Sequence, residues 1–565
     1  MRRGILAWLG ENPDVDHLDR VAERFGLRCL RADRLARIYA GEELPARTMQ
    51  CGALVLGDIF SRSGATCLTP SDGWGNYLAF TSDENTASID RAPLTGMPIY
   101  WNRQGPGVLC ASHLSIFRSV AQFTELDWEF IGQSLSYINL RTERTGIAAL
   151  QELLPGTKIA FDGQRAVIQS LWSPWDYVES SRSVGVAELA PELERRIDRC
   201  VNAWGESRPD IVLELSGGLD SSIVAAALSA GGSSYSAINF LTAAADGDER
   251  YYAHMVAEHC GASLSEVQVD DRQVDLVAPP DILQPRPGAY GVLNGLDRAF
   301  EEAVGDRRVS IFGGIGGDNV FDFDSSVSPI LDAFSTFGYS KRTFEAMRDV
   351  ARARDATLWQ AARLSVKAWR AGPRKEWPRE TKFCNPSMLA YRPFAHPWDE
   401  GAETGSRAKC RHVEAVRRIL DFVDRPDRWQ DRDVVYPLLS QPVVELCLSI
   451  PSWIWFTGGR DRAVARAAYA RRLPPEVVWR KGKGRLESIC TAAYLRQKDQ
   501  LRDLLLEGRL ASKGFLDRGT IETYFSEGVV GGSHDYFRLM EIADVERWIR
   551  AVESELPSGR SSAQR

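Results

Sequence analysis

Residues 211–228 read IVLELSGGLDSSIVAAAL. An apolar strand ending at Leu215 meets a Ser-Gly-Gly turn, and an apolar helix starts near Asp220. Gly217 and Gly218 allow a sharp turn and a close approach of backbone to ligand. Free N–H groups at the helix start, together with its dipole, favour an anion there. Ser216, Ser221 and Ser222 add hydroxyl donors. The chemistry this points to is phosphate binding. No Lys follows the glycines, so it is not the GxxxxGK[ST] loop. The bland alternative is a Gly-rich corner with Asp220 as a helix N-cap. A carboxylate beside phosphate is repulsive unless a cation lies between them. Mg²⁺ held by one or two carboxylates plus phosphate oxygens is the usual solution. A second Gly-rich stretch, IFGGIGGDNVF (311–321), ends in another carboxylate, Asp318.

These turns need a frame. From Ile211 the pattern runs IVLEL, SSIVAAAL, YSAINF, RYYAHMVAEHCG, LSEVQV and later RVSIFGG. Alternating strands and helices of this kind predict a parallel sheet with crossover helices. Ligands of such sheets sit beyond the strand C-termini, where Ser216, Asn239 and Gly313 fall. The first ~170 residues differ. GALVLGDIF, NYLAF, PIYWNR, GVLCASH and KIAFDG read as short strands with Gly, Pro or Asn punctuation, as in a sandwich. Ser173–Val186 reads as a linker, and from about Ser340 the pattern is mostly helical. The polar tail SELPSGRSSAQR reads as disordered.

Composition sets outer limits. The chain has 565 residues, 44% of them hydrophobic, enough for several packed cores. A net charge of −7 argues against a broad nucleic-acid surface. The 10 cysteines include no CxxC pair, so neither a zinc nor a redox motif is indicated. Reduced thiols fit a cytoplasmic location. MRRGILAWLG has too short an apolar run for a signal peptide. No stretch approaches the ~20 apolar residues of a membrane span. His254 and His259 are five apart, not at the i, i+4 spacing of a zinc helix.

The string SGGLDSS resembles the pyrophosphate loop of ATP-pyrophosphatase enzymes, and within them the asparagine synthetase family. That resemblance implies α/β architecture in two parts. Residues 1–180 would be a β-rich, degenerate glutaminase-like (Ntn-type) sandwich. Residues 187–555 would be an ATP-pyrophosphatase-type parallel-sheet synthetase domain with helical additions, followed by a disordered 556–565. GNYLAF, PIYWNRQGPGVLCASHLSIFRSV and LLPGTKIAFDG resemble the family's amidotransferase half. The family's glutaminase needs a cysteine directly after the initiator Met, as nucleophile. This chain reads Met1-Arg2-Arg3-Gly4, and its first cysteine is Cys29. Glutamine hydrolysis is therefore not expected.

The resemblance also assigns roles. ATP and Mg²⁺ are the implied cofactors. Leu215, Ser216, Gly217, Gly218, Asp220, Ser221 and Ser222 would hold the nucleotide, Ile238 would touch adenine through its backbone, and Gly313 and Gly314 would lie against the nucleotide. Asp220 and Asp318 would hold Mg²⁺ on pyrophosphate. Arg462, in GGRDRAVARAA, matches a lysine that contacts pyrophosphate. In WRKGKG, Lys483 best matches a lysine near the reaction centre, with Lys481 a close rival; such a cation can stabilise charge at the acyl transition state. Asp433 stands where the family has a Glu four residues before the Pro of its Val-Pro-Phe-Leu segment, here Tyr436-Pro437-Leu438-Leu439. It could take a proton from the attacking amine or orient it; a structural Asp is the other reading. Ile315 replaces the Glu of asparagine synthetases and the Tyr of β-lactam synthetase, and it cannot relay a proton.

YPLLSQPVVELCLSIPSWIWFTGGRDRAVARAA most closely resembles lasso peptide macrolactam synthetases. The implied reaction adenylates an Asp or Glu side chain of a precursor peptide, and the peptide's N-terminal amine then closes an isopeptide ring. The implied partners are that peptide, a leader-peptide-binding protein and a leader peptidase, with neither nucleic acid nor membrane. A peptide groove is expected somewhere in residues 340–430. The alternatives are an ammonia-dependent asparagine synthetase, a β-lactam synthetase-like enzyme, or a non-catalytic scaffold of the same fold.

Overall fold

The structure is a computed structural model. It describes residues 2–555 apart from 63–68, 122, 124, 179–183, 243–247, 289–290, 373–376, 424–431, 483–486 and 528–533. Residues 556–565 of the tail expected to be disordered lie outside the described residues, as does the middle of the expected linker, whereas Ser554 and Glu555, read as the start of that tail, end the last helix.

The first part is all antiparallel. Its strands are β1 (Ile5–Leu9), β2 (Leu27–Ala32), β3 (Ala36–Gly41), β4 (Ala46–Thr48), β5 (Leu54–Ser61), β6 (Gly73–Ser82), β7 (Ala87–Arg91), β8 (Tyr100–Gln104), β9 (Gly107–Ala111), β10 (Gln151–Glu152), β11 (Thr157–Phe161) and β12 (Ala166–Ser170). They form two six-stranded sheets, ordered β10-β8-β9-β1-β3-β2 and β12-β11-β7-β6-β5-β4. The inward residues of both sheets, among them Ile5, Leu9, Ile38, Leu56, Phe80, Ile89 and Phe161, share one core. This is the sandwich that alternating apolar positions demand.

The second part carries the parallel sheet, built of β13 (Ile211–Glu214), β14 (Tyr235–Leu241), β15 (Ser263–Gln268), β16 (Ser310–Gly313) and β17 (Asp433–Val435). Its order is β15-β14-β13-β16-β17. The chain winds outward one way from β13, then returns to its other side through β16. In such sheets the crevice between the two strands where the winding reverses is where ligands bind. The helices of this part include α1 (Val186–Glu206), α2 (Leu219–Ala230), α3 (Arg250–Cys260), α4 (Asn294–Val304), α5 (Ser328–Phe337), α6 (Lys341–Ala353), α7 (Leu358–Ala371), α8 (Arg407–Val423), α9 (Gln441–Ser449), α10 (Ala463–Tyr469), α11 (Glu487–Leu506) and α12 (Asp535–Glu555), with shorter helices such as Gly317–Val320 between them. Among the described residues, no helix is long and apolar enough to cross a membrane.

Packing crosses the boundary expected near residue 180. A single core joins Leu6, Leu109, Phe117 and Ile131 of the first part to Tyr494 and Leu505 of α11 and to Ile542 and Trp548 of α12. A Cβ on Gly146 would lie 2.3 Å from the Trp548 ring. Ion pairs span the same seam, Arg62 to Glu445 at 2.9 Å and Arg208 to Asp58 at 2.7 Å.

Beneath it lies a fully buried cluster. Glu152, 0% exposed, accepts from Arg91 at 2.9 Å and from Arg141 Nε at 3.1 Å, with Arg286 at 3.7 Å. Arg286 also pairs with Asp421 of α8. Burial pushes the Glu152 pKa up, but Arg141, Arg286 and Arg91 together reverse this and bring it down to about 2.

Candidate nucleotide site at the sheet switch point

Glu214, last residue of β13, lies between Ile238 and Gly313 in register. The chain leaves the sheet there. Leu215 N donates to Ile238 O at 2.8 Å, which keeps the departing strand tied to β14. Gly217 has φ +70, and a Cβ on it would come within 2.6 Å of Ala253 N on α3. Here only glycine meets both the backbone and the space. Gly218 caps α2 with no side-chain capping bond. The turn is braced from within by serines: Ser216 Oγ lies 3.2 Å from Ser221 Oγ and accepts from Gly218 N at 3.3 Å, while Ser222 Oγ donates to Gly218 O at 2.7 Å. Asp220 is thus not the N-cap; it is the second residue of α2, and its carboxylate is directed elsewhere.

The second Gly-rich stretch seats against the first. A Cβ on Gly314 would lie 2.4 Å from Ser221 N, and one on Gly317 would lie 2.4 Å from Asp220 Cγ. Gly316, at φ +91, would meet Leu439 of the PLLSQP segment at 2.6 Å. The glycines are there because two turns and a third segment interlock with no room for side chains. Gly314→Ala must displace the Ser221 turn. Since misplacement by ~1 Å can cost about a hundredfold, we expect the variant to fold while its apparent ATP affinity falls at least about tenfold; an ATP titration reads this.

Asp220 and Asp318 converge on one cation. Arg462 Nη1 lies 3.3 Å from Asp220 Oδ1 and also bonds Asp318 Oδ1, while its Nε meets Asp461 at 3.2 Å. Arg462 has φ +51, a left-handed conformation that costs a non-glycine residue ~1 kcal/mol or more. Burial lowers the Arg462 pKa, but Asp220, Asp318 and Asp461 together raise it further, so it stays charged. A point reached by two carboxylates from separate turns is also suited to a divalent ion, which takes one or two carboxylates and fills its shell with phosphate oxygens and water. Asp220 and Asp318 therefore fit as the residues that would hold Mg²⁺. Among the described residues, no group of three or more His, Cys, Asp or Glu could hold a metal alone, so any such ion would lean on the nucleotide.

These residues face a cavity of about 570 Å³, within the usual range for a ligand site. Leu215, Ser216, Gly218, Asp220, Ser221, Ile238, Gly314, Asp318 and Arg462 line it. Ser222 and Gly217 support the turn from behind, and Gly313 ends β16 beside it. Ile315 also lines the cavity, as an apolar residue. Arg480, not anticipated, joins the wall, as does Asn239, expected at the strand ends. Arg480 pairs with Glu249 at 2.9 Å and sits 3.9 Å from the Tyr252 ring centroid. It belongs to the same WRKGKG string, but its partners lie over 200 positions earlier. Asn239 is buried, with its Nδ2 donating to Leu215 O at 2.7 Å.

Two expected residues, Lys481 and Asp433, are not brought to this cavity, and a third, Lys483, lies outside the described residues. Lys481 is held by Asp355 at 3.0 Å, with 72% of its side chain exposed, although the adjoining Gly482 does line the cavity. Asp433 is at the wrong end of the sheet for the expected role. It starts β17 opposite Ser310, the first residue of β16, whereas the cavity opens beyond the last. Its carboxylate bonds Arg208 Nε at 2.8 Å, Arg3 at 3.1 Å and Ser310 Oγ at 3.0 Å. Burial raises its pKa, but Arg3 and Arg208 outweigh this and hold it below the usual value. The β-strand register thus corrects the acceptor-site reading: Asp433 ties the two parts together. Asp433→Asn should cost about 1–3 kcal/mol of stability and leave nucleotide chemistry per folded molecule unchanged, as thermal melts and turnover would show.

A model of the asparagine synthase family matches residues 192–550. No curated protein matches the chain. One solved structure, the glutamine phosphoribosylpyrophosphate amidotransferase from B. subtilis complexed with ADP and GMP, is 11% identical, covering 74% of this chain and 92% of its own with a TM-score of 0.18. Another, described as the allosteric regulatory enzyme of purine biosynthesis, is 11% identical over 55% of this chain and 74% of its own, with a TM-score of 0.19. At such scores the structures do not superpose as wholes.

Proposed function

The chain belongs to the asparagine synthase family of ATP-dependent amide-forming synthetases, and from that premise we propose that it closes a macrolactam ring in a precursor peptide of the lasso type. One observation carries the reading. Two interlocked Gly-rich turns present Asp220, Asp318 and the Arg462 guanidinium to one cavity, and the position between them that could carry a proton-relaying side chain holds Ile315.

The reaction balances in two steps. A side-chain carboxylate oxygen of the peptide attacks the α-phosphorus of ATP, the α–β bridge breaks, and pyrophosphate leaves. The peptide's N-terminal amine then attacks the acyl carbon; AMP leaves with the C–O bond electrons, and the amine proton goes to solvent. Mg²⁺, held by Asp220 and Asp318, would neutralise phosphate charge. Arg462 and the Ser216–Ser221 turn would hold the pyrophosphate. Ile315 keeps a proton-bearing group out of the acyl site, which disfavours chemistry that must activate free ammonia there. An amine already on the same peptide gains by proximity, worth up to about 7–11 kcal/mol when well aligned. Such a peptide would reach this enzyme after a leader-binding protein and a leader peptidase have acted.

The two steps can be separated. A peptide with an acetylated N-terminus should still support ATP–pyrophosphate exchange but yield no ring. Exchange with free aspartate, and none with peptides, would exclude the proposal.

A further inference from the structure

α7 is fastened to the molecule by a narrow stripe. Ala361 and Ser365 are buried, and the helix packs on α5 and α6. The rest of α7 faces outward with the wrong composition for a solvated surface. Trp359 is 79% exposed and Trp369 67%. At steps of three and four from Trp359 run Ala362, Val366 and Trp369, an apolar stripe at helical period. Beside it runs a basic stripe, Arg363, Lys367 and Arg370. Trp359, Ala362, Arg363, Val366, Lys367 and Arg370 line an open groove of about 470 Å³. Although the chain carries a net charge of −7, the sequence has no Asp or Glu from 356 to 375. Exposed tryptophans forming one stripe with basic neighbours mark an interaction site.

The start of α7 lies close to the nucleotide cavity. Thr357 and Gln360 cap the start of α7 reciprocally. Just before them, Asp355 holds Lys481, whose neighbour Gly482 lines that cavity. The N-terminal end of α7 is therefore held beside the cavity rim.

We propose that this groove docks the part of the substrate peptide lying outside the reacting centre, a segment bearing carboxylates and apolar side chains. The inference rests on the peptide reading above. Charge complementarity and proximity to the rim favour a peptide over an anionic bilayer, which would repel the acidic remainder of the molecule.

The test uses the full chain and a fluorescein-labelled 20-residue peptide of Glu, Phe, Leu and Gly, read by anisotropy, beside the same peptide with Lys for Glu. The Glu peptide should bind at least tenfold more tightly than the Lys peptide. Its affinity should fall with salt, and drop at least tenfold in the doubly exposed variant Arg363→Glu/Lys367→Glu. A second variant, Trp359→Ser, should weaken both peptides while leaving thermal stability unchanged. Failure of the Glu peptide to bind, or equal binding by the variants, would overturn the proposal. So would phosphatidylglycerol-vesicle binding or self-association lost in the variants while peptide binding persists. The readout needs no turnover. Groove-dependent binding without AMP formation from any peptide would therefore refute the ligase reading alone, and ring closure unaffected by the variants would refute the groove alone.

Discussion

Asp318→Ala should lower ATP–pyrophosphate exchange by about a hundred- to a thousandfold, the loss usual when one preorganised charge-stabilising group is removed. The fold should survive. Asp318 stands on a four-residue helix with a third of its side chain exposed, and Arg462, which it bonds, keeps Asp220 and Asp461. Removing it frees Arg462 to lean on Asp220, so the second carboxylate would be neutralised just where a phosphate-bound cation must sit. Asp220→Ala should cost a similar factor in exchange and more in stability. Asp220 is 7% exposed and fills the space against Gly317, so its loss also leaves a small void between the two turns. Unchanged circular dichroism with lost exchange is the expected pair of results. Normal exchange in either variant would refute the metal assignment.

The largest stability effect should come from Glu152→Ala. Three guanidiniums, from Arg91, Arg141 and Arg286, would then be left in a dry interior with Asp421 as the remaining carboxylate partner of Arg286. Breaking a buried ionic cluster by removing one member costs about 3–5 kcal/mol. At an unfolding entropy of about 2 cal/mol/K per residue, a melting point lower by about 3–4 °C follows, with both parts affected because the cluster spans them. The pH dependence has a definite sign. The folded pKa of Glu152, about 2, lies below its ordinary 4.5, so its stabilisation is full above about pH 4.5 and is lost as pH falls from there toward 2. Wild type should destabilise through that window more steeply than Glu152→Gln. Parallel acid titrations of both would show no difference if the cluster contributes nothing.

Local sequence was enough where geometry is local. The Ser216–Ser222 turn and the Gly313–Asp318 stretch could be read because interlocking turns require glycine, and glycine at such density is rare. What could not be read depends on register and on long-range partners. Asp433 has the right chemistry four residues before a Pro-Leu-Leu segment, but the parallel register with Ser310 puts it at the far end of the strand, beside Arg3 and Arg208. Lys481 is two residues from Lys483, yet its partner is Asp355, 126 positions away. The capture of Asp220 by Arg462 spans 242 positions. The sandwich and the parallel sheet follow from period and order. The burial of Trp548 against Gly146 does not, because nothing in an amphipathic helix tells which surface it will cover.

The most direct test of ring closure is the mass of the peptide after incubation with ATP, Mg²⁺ and the full chain. The candidate is a leader-free peptide carrying Asp or Glu a few residues after a free N-terminus. It should lose one water per molecule, become resistant to N-terminal sequencing, and release AMP and pyrophosphate in equal amounts. Formation of ADP and phosphate, or asparagine from free aspartate and ammonia with the peptide unchanged, would contradict the account.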